Sequence, residues 1–182
     1  MKDLEVSLKT GEHLDSAYNN IAVYYALSQP QQALTYYDKA LEYQEESKRA
    51  TTYNNMALCY GVTGNPSKKE EMYLKAIAIG EQTGQYANLM GWKNNLGTYY
   101  ATNNRFGEAR PLFNDTLKMA RNMKIIDRES AALSGLAYLD YKENKPKQAK
   151  EEITEALRLA YKSGDTSALD SAEYVSRLIN GN

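Results

Sequence analysis

Cysteine, histidine and charge of one sign are all scarce in this 182-residue chain. Lys and Arg total 22 against 23 Asp and Glu, leaving a net charge of −1. No net field exists to gather phosphate backbones or anionic lipid, which argues against nucleic acid and membrane as partners. Cys59 is the lone cysteine, so an internal disulfide is excluded. That fits a reducing compartment. The start, Met1 to Val6, carries no leader-like apolar run, and no stretch is long and apolar enough to span a bilayer. A cytoplasmic location is therefore expected. His13 is the single histidine, and neither metal-ligand spacing nor a Gly-rich phosphate loop is present. No metal, no cofactor and no catalytic residue is expected, and the chain reads as a non-enzyme. The adjacent pairs Glu45–Glu46, Glu70–Glu71 and Glu151–Glu152 point to different helix faces and read as solvated surface.

What is present repeats. Asn-Asn-X-(Ala/Gly)-X-X-Tyr occurs at Asn19–Tyr25, Asn54–Tyr60 and Asn94–Tyr100, and Ser134–Asp140 is a weaker fourth copy. The small residues Ala22, Ala57, Gly97 and Ala137 are spaced by 35, 40 and 40 residues. Self-similarity at such a period signals stacked supersecondary units. Pro30, Pro66 and Pro146, with Phe106 at the third equivalent point, follow each small residue by eight or nine positions. Proline suits the first turn of a helix, and the Gly64–Asn65 step, Asn103–Asn104 and Asn144 just before these points supply residues that tolerate a left-handed C-cap. Each unit therefore reads as helix, tight turn, helix. The second helices keep an order of small (Ala33, Ala109, Ala149), large (Tyr37, Tyr73, Phe113, Ile153) and small (Ala40, Ala76, Ala156). That spacing is one face of a helix. Four departures stand out: Lys69 and Thr116 at small positions, Asp140 at the tyrosine position, and Pro111, which should kink its helix or delay its start.

On these motifs the chain resembles the tetratricopeptide-repeat (TPR) family over roughly residues 16–164. The long stride and the Asn-Asn start resemble the kinesin-light-chain and Pins-like subgroup, and bacterial TPR regulators are also similar. The resemblance implies an all-α, right-handed superhelical α-solenoid of antiparallel helix pairs. Its parts would be a half-repeat or capping helix at 1–11, repeats at 12–48, 49–84, 85–124 and 125–164, and a C-terminal capping helix at 165–182. Residues 4–12 read like 157–165, so the chain looks like a slice of a longer array, and the opening half-repeat could stack on another copy.

The function implied is binding of a protein or peptide segment in a concave groove lined by the first helices. Asn20, Asn55 and Asn95 are the leading candidates. A carboxamide offers one acceptor and two donors, so a row of them can pair with a peptide main chain. Asn19, Asn54 and Asn94 adjoin them, Ser134 and Gly135 hold the fourth place, and Val23, Leu58, Thr98 and Tyr138 are the side-chain contacts. The asparagines have a second reading, hydrogen bonding across helices or to water. Tyr18, Tyr53, Tyr60 and Tyr100 read as core, Tyr24 and Tyr99 as further groove candidates, and Trp92 as either packed or exposed. Two other functions stay open: a peptide-sensing segment of a larger bacterial regulator, and a self-associating scaffold.

Overall fold

The computed structural model describes residues 10, 11 and 13–181. Among them the protein is all-α, with nine helices and no strand. Apart from Thr10 and Gly11, the half-repeat expected over residues 1–11 lies outside the described residues. Two compact units are present, Met1–Leu89 and Met90–Asn182.

The first unit contains α1 (Leu14–Tyr25), α2 (Pro30–Tyr43), α3 (Glu46–Val62), α4 (Pro66–Thr83) and the opening residues of α5 (Tyr86–Thr102). Successive helices pack on one another, α1 on α2, α2 on α3 and α3 on α4. The small positions Ala22, Ala33, Ala40, Ala57 and Ala76 are fully buried, and Tyr37 and Tyr73 fill the space beside them. Small residues let helix axes approach while the large ones occupy the gaps. Lys69 departs from this pattern because Gly61 makes room for it. A methyl group on Gly61 would stand 3.1 Å from Lys69 Nζ.

The second unit holds the rest of α5, then α6 (Phe106–Met123), α7 (Ile126–Lys142), α8 (Pro146–Ser163) and α9 (Thr166–Asn180). Helix α7 packs on α6, α8 and α9, and α8 on α9. Leu133, Ile153, Leu159, Ala168, Ala172 and Val175 form one of its core clusters. Trp92 is buried, which settles its two readings in favour of packing. Phe113 lies against the backbones of two first helices. A Cβ on Gly97 would come within 2.8 Å of its ring, and one on Gly135 within 2.5 Å. Only glycine fits at those contacts.

The turns follow the punctuation. Helices begin at Pro30, Pro66, Phe106 and Pro146, and the residues before the last three include Gly64, Asn104 and Asn144 at φ of 74°, 60° and 63°. Gly84 and Gly164 end α4 and α8 in the left-handed region; Lys124 does the same after α6 at φ 57°. Pro111 does not delay its helix, which begins at Phe106 and continues through it. The carbonyl that loses a partner belongs to Gly107, an exposed residue open to water.

Candidate binding surface

In the first unit, Ser16, Asn20 and Val23 on α1, with Leu27 in the turn that follows it, are spaced by four, three and four residues. Thr51, Asn55, Leu58 and Val62 repeat that spacing on α3. Ser16, Asn20 and Val23 form one stripe of α1, and the four α3 residues form another. Where the stripes begin, a cleft of about 390 Å³ opens. Its lining includes Asp15, Ser16, Asn19 and Asn20 from α1, Lys48, Thr51 and Thr52 from α3, and Gln44 and Gln85 from turns. Lys48 Nζ donates to Asp15 Oδ2 at 2.7 Å. This bond holds the Asp15 carboxyl below the usual carboxylate range and raises the lysine. Gln85 Nε2 donates to the Ser47 carbonyl at 2.7 Å, tying the turn before α5 to the rim.

The asparagines are not equivalent. Asn20 is exposed on the cleft wall. Asn19 Oδ1 accepts from Thr52 Oγ1 at 3.3 Å, and the same buried hydroxyl lies 2.8 Å from Gln44 Oε1. Asn54 is buried, and its Nδ2 donates to Asn55 Oδ1 at 3.3 Å. Asn55 also hydrogen-bonds the Tyr37 phenol. Burial, with Cys59 nearby, pushes that phenol up to about 12 against the effect of this bond. The cross-helix role thus occupies Asn19 and Asn55, while Asn20 remains open to solvent. Val23 and Leu58 are half-exposed, and Tyr24 is exposed.

In the second unit Asn94 and Asn95 are half-buried, and Asn94 Oδ1 is buried without a hydrogen-bond partner. Thr98 is exposed and Tyr99 half-buried. Tyr138 packs partly buried against the core cluster. Ser134, expected at the surface, is instead buried. Its hydroxyl donates to the Ser130 carbonyl at 3.0 Å, and Ser130 Oγ donates to the Ala156 carbonyl at 2.8 Å.

A charge cluster joins α6, α7 and α8. Arg110 Nη2 donates to Asp140 Oδ1 at 2.6 Å and to Glu143 Oε2 at 3.0 Å, and Lys145 pairs with Glu143 as well. Asp140 is buried, so the departure from tyrosine is an exchange of an aromatic side chain for an ion pair. Glu152 corrects the solvated reading of its pair. It is half-buried, its Oε2 lacks a partner, and burial pushes its carboxyl up to about 7. Among the described residues no group of three His, Cys, Asp or Glu is placed to hold a metal ion. No described helix is long and apolar enough to cross a membrane.

Reasoning from the repeat missed Ser16, Lys48 and Thr51, which lie one or two turns before Asn20 and Asn55 on the same stripes, and Val62, one turn beyond Leu58. Stripe spacing alone could have found these four. Asp15, beside the stripe, and Leu27, in the turn after α1, were missed too. Gln85, in a turn, carried no such signal.

Residues 48–122 match the family model described as Tetratricopeptide repeat. Three solved structures share the fold. Aspartyl phosphate phosphatase F from Bacillus subtilis matches with a TM-score of 0.80 and 18% identity, covering 91% of this chain and 45% of that one. TPR-like repeats of a kinesin-light-chain-like protein from Podosopora anserina match with a TM-score of 0.69 and 15% identity, over 93% of this chain and 89% of that one. PilF from Pseudomonas aeruginosa matches with a TM-score of 0.66 and 22% identity, over 90% and 75%. The chain thus spans less than half the length of the phosphatase. No curated protein sequence matches it.

Proposed function

Residues 48–122 match the tetratricopeptide-repeat family and the fold is that of TPR-like repeats, and from that premise we propose that the chain is a non-catalytic module holding a segment of a partner protein on its first-helix surface. The observation that carries this reading is the open stripe of the first unit, where exposed Asn20 stands between the polar cleft and the half-exposed Val23 and Leu58. The Asn20 carboxamide can donate to a partner carbonyl and accept from its N–H, which holds main chain without reading sequence. Asn55 supports the same face from α3, already fixed in orientation by Asn54 and Tyr37. In the second unit Asn95, Thr98 and Tyr138 are the proposed contacts of that unit's own face. With charges balanced, attraction to the partner rests on shape, hydrogen bonding and apolar contact rather than on long-range steering. The proposed setting is cytoplasmic, where the buried thiol of Cys59 stays reduced.

Affinity capture tests the reading by comparing wild type with Asn20→Ala, Asn55→Ala and Asn95→Ala, singly and combined. Circular dichroism checks that each variant is folded. The expected result is a partner retained by wild type, weakened by Asn20→Ala and lost by the folded triple variant. Equal retention by wild type and triple variant would overturn it.

A further inference from the structure

Four aliphatic side chains beside the cleft are left in water. Val23, Leu27, Leu58 and Val62 are 50%, 96%, 49% and 70% exposed. They occupy matching places of two repeats, Val23 on α1 and Leu27 in the turn after it against Leu58 and Val62 on α3, each 35 residues on. The corresponding positions of the second unit hold Thr98, Thr102, Tyr138 and Lys142. The aliphatic quartet is therefore a property of the first unit and not of the repeat. Single exposed aliphatics are ordinary on a protein surface, but four sharing one face next to a polar cleft mark a contact surface.

We propose that this face selects an extended partner segment bearing one neutral hydrogen-bonding side chain and, at two-residue intervals from it, two aliphatic side chains. The segment runs alongside α1 and α3. The inference rests on the binding function proposed above and supplies the chemistry of the partner. Charge decides the first element. The cleft's Asp15 and Lys48 neutralise each other at 2.7 Å. A charged side chain entering there finds no net opposite charge to meet, whereas an amide or hydroxyl can hydrogen-bond Ser16, Asn20 and Thr51. Spacing decides the rest. Leu58 and Val62 are four residues apart on α3, about 6 Å along the axis. Side chains i and i+2 of an extended strand are roughly 6.7 Å apart on one side, so the two rows match. The cleft lies about one further step back along both helices. Asn20, exposed on the cleft wall, then borders the segment and can pair with its main chain.

Selection of a displayed random dodecapeptide library against the full chain tests this. Enriched peptides are then titrated against wild type, Leu27→Ser with Val62→Ser, and Asn20→Ala. Leu27 and Val62 are exposed, so the serine variant is expected to fold as wild type does. The expected motif is Asn, Gln, Ser or Thr, any residue, aliphatic, any residue, aliphatic, in either direction. The serine pair should weaken binding about tenfold, as loss of apolar burial on this scale implies. Enrichment of Asp, Glu, Lys or Arg at the first position would overturn the inference. Peptides weakened by Asn20→Ala but not by the serine pair would overturn it too, leaving the function proposed above standing. Peptides moved by neither variant would overturn both. If nothing is enriched and light scattering shows a dimer that the serine pair dissolves, the occupant is a second copy and the partner-segment inference fails. If nothing is enriched and wild type is monomeric, the inference fails as well.

Discussion

Glu152 makes the pH dependence of stability calculable in advance. Burial raises its carboxyl from 4.5 to about 7. The neighbouring charges of Asp140 and Glu151 push the same way, while Arg110 and Lys145 oppose them. The native state therefore holds this proton more tightly than the unfolded chain does. Stability from that proton is fully present below pH 4.5 and is lost as pH rises through about 7. At 1.36 kcal/mol per unit the whole shift is worth roughly 3 kcal/mol. The side chain is only half-buried, so solvent screening reduces the expected effect to about 1 kcal/mol. That corresponds to about 2–4 °C in Tm for a chain of this size. Glu152→Gln keeps the shape and removes the titration. Urea or thermal unfolding of both proteins from about pH 4 to about pH 8.5 isolates this residue, because other carboxylates contribute equally to the two curves. Wild type should lose about 1 kcal/mol relative to the variant, the loss falling between pH 4.5 and about 7 and the curves running parallel above that. Curves parallel throughout would show that Glu152 is solvated in the native state and would refute the reasoning.

Two further substitutions probe the helix packing. Gly135→Ala places a methyl group against the Phe113 ring, where a Cβ would come within 2.5 Å. It should cost about 1–3 kcal/mol in urea unfolding. Adding Phe113→Leu should recover part of that loss, and strict additivity of the two changes would speak against the contact. Lys124 adopts a left-handed conformation that glycine fills after α4 and α8. Lys124→Gly should therefore gain about 0.5–1 kcal/mol by removing strain, and a lower Tm would contradict this.

What could be read from the sequence and what could not divide along a physical line. Backbone punctuation acts locally, so Pro30, Pro66 and Pro146 mark helix starts without knowledge of the rest of the chain, and the steps Gly64–Asn65, Asn103–Asn104 and Asn144 mark where left-handed turns fall, at Gly64, Asn104 and Asn144. Stripe spacing is local as well, which is why Asn20, Val23, Asn55 and Leu58 could be placed on matching faces. The occupation of a side chain is different, because it depends on residues far along the chain. Asp140 looks like a defect in the motif until Arg110, 30 residues earlier, is found 2.6 Å away. Glu152 looks like half of a solvated pair until the groups from α6 and α7 are seen around it.

The paired asparagines show the same division most sharply. Asn20 and Asn55 are copies of one position in one motif, with the same residue type and the same place on their helices. Asn55 meets the phenol of Tyr37 from α2 and the amide of Asn54, so its carboxamide is engaged within the protein. On α1 it is Asn19 that takes up the cross-helix bond, through Thr52 of α3, and Asn20 is left at the cleft wall. Repeat register assigns a direction to each side chain, and packing by the neighbouring pair then decides whether that side chain is used inside the protein or offered outside it. A motif present in several copies can therefore support the fold in one copy and present a binding group in the next. The four exposed aliphatics follow the same rule, since they appear at positions where the second unit carries threonine, tyrosine and lysine. Specificity in this repeat protein belongs to individual positions and not to the repeat as a whole.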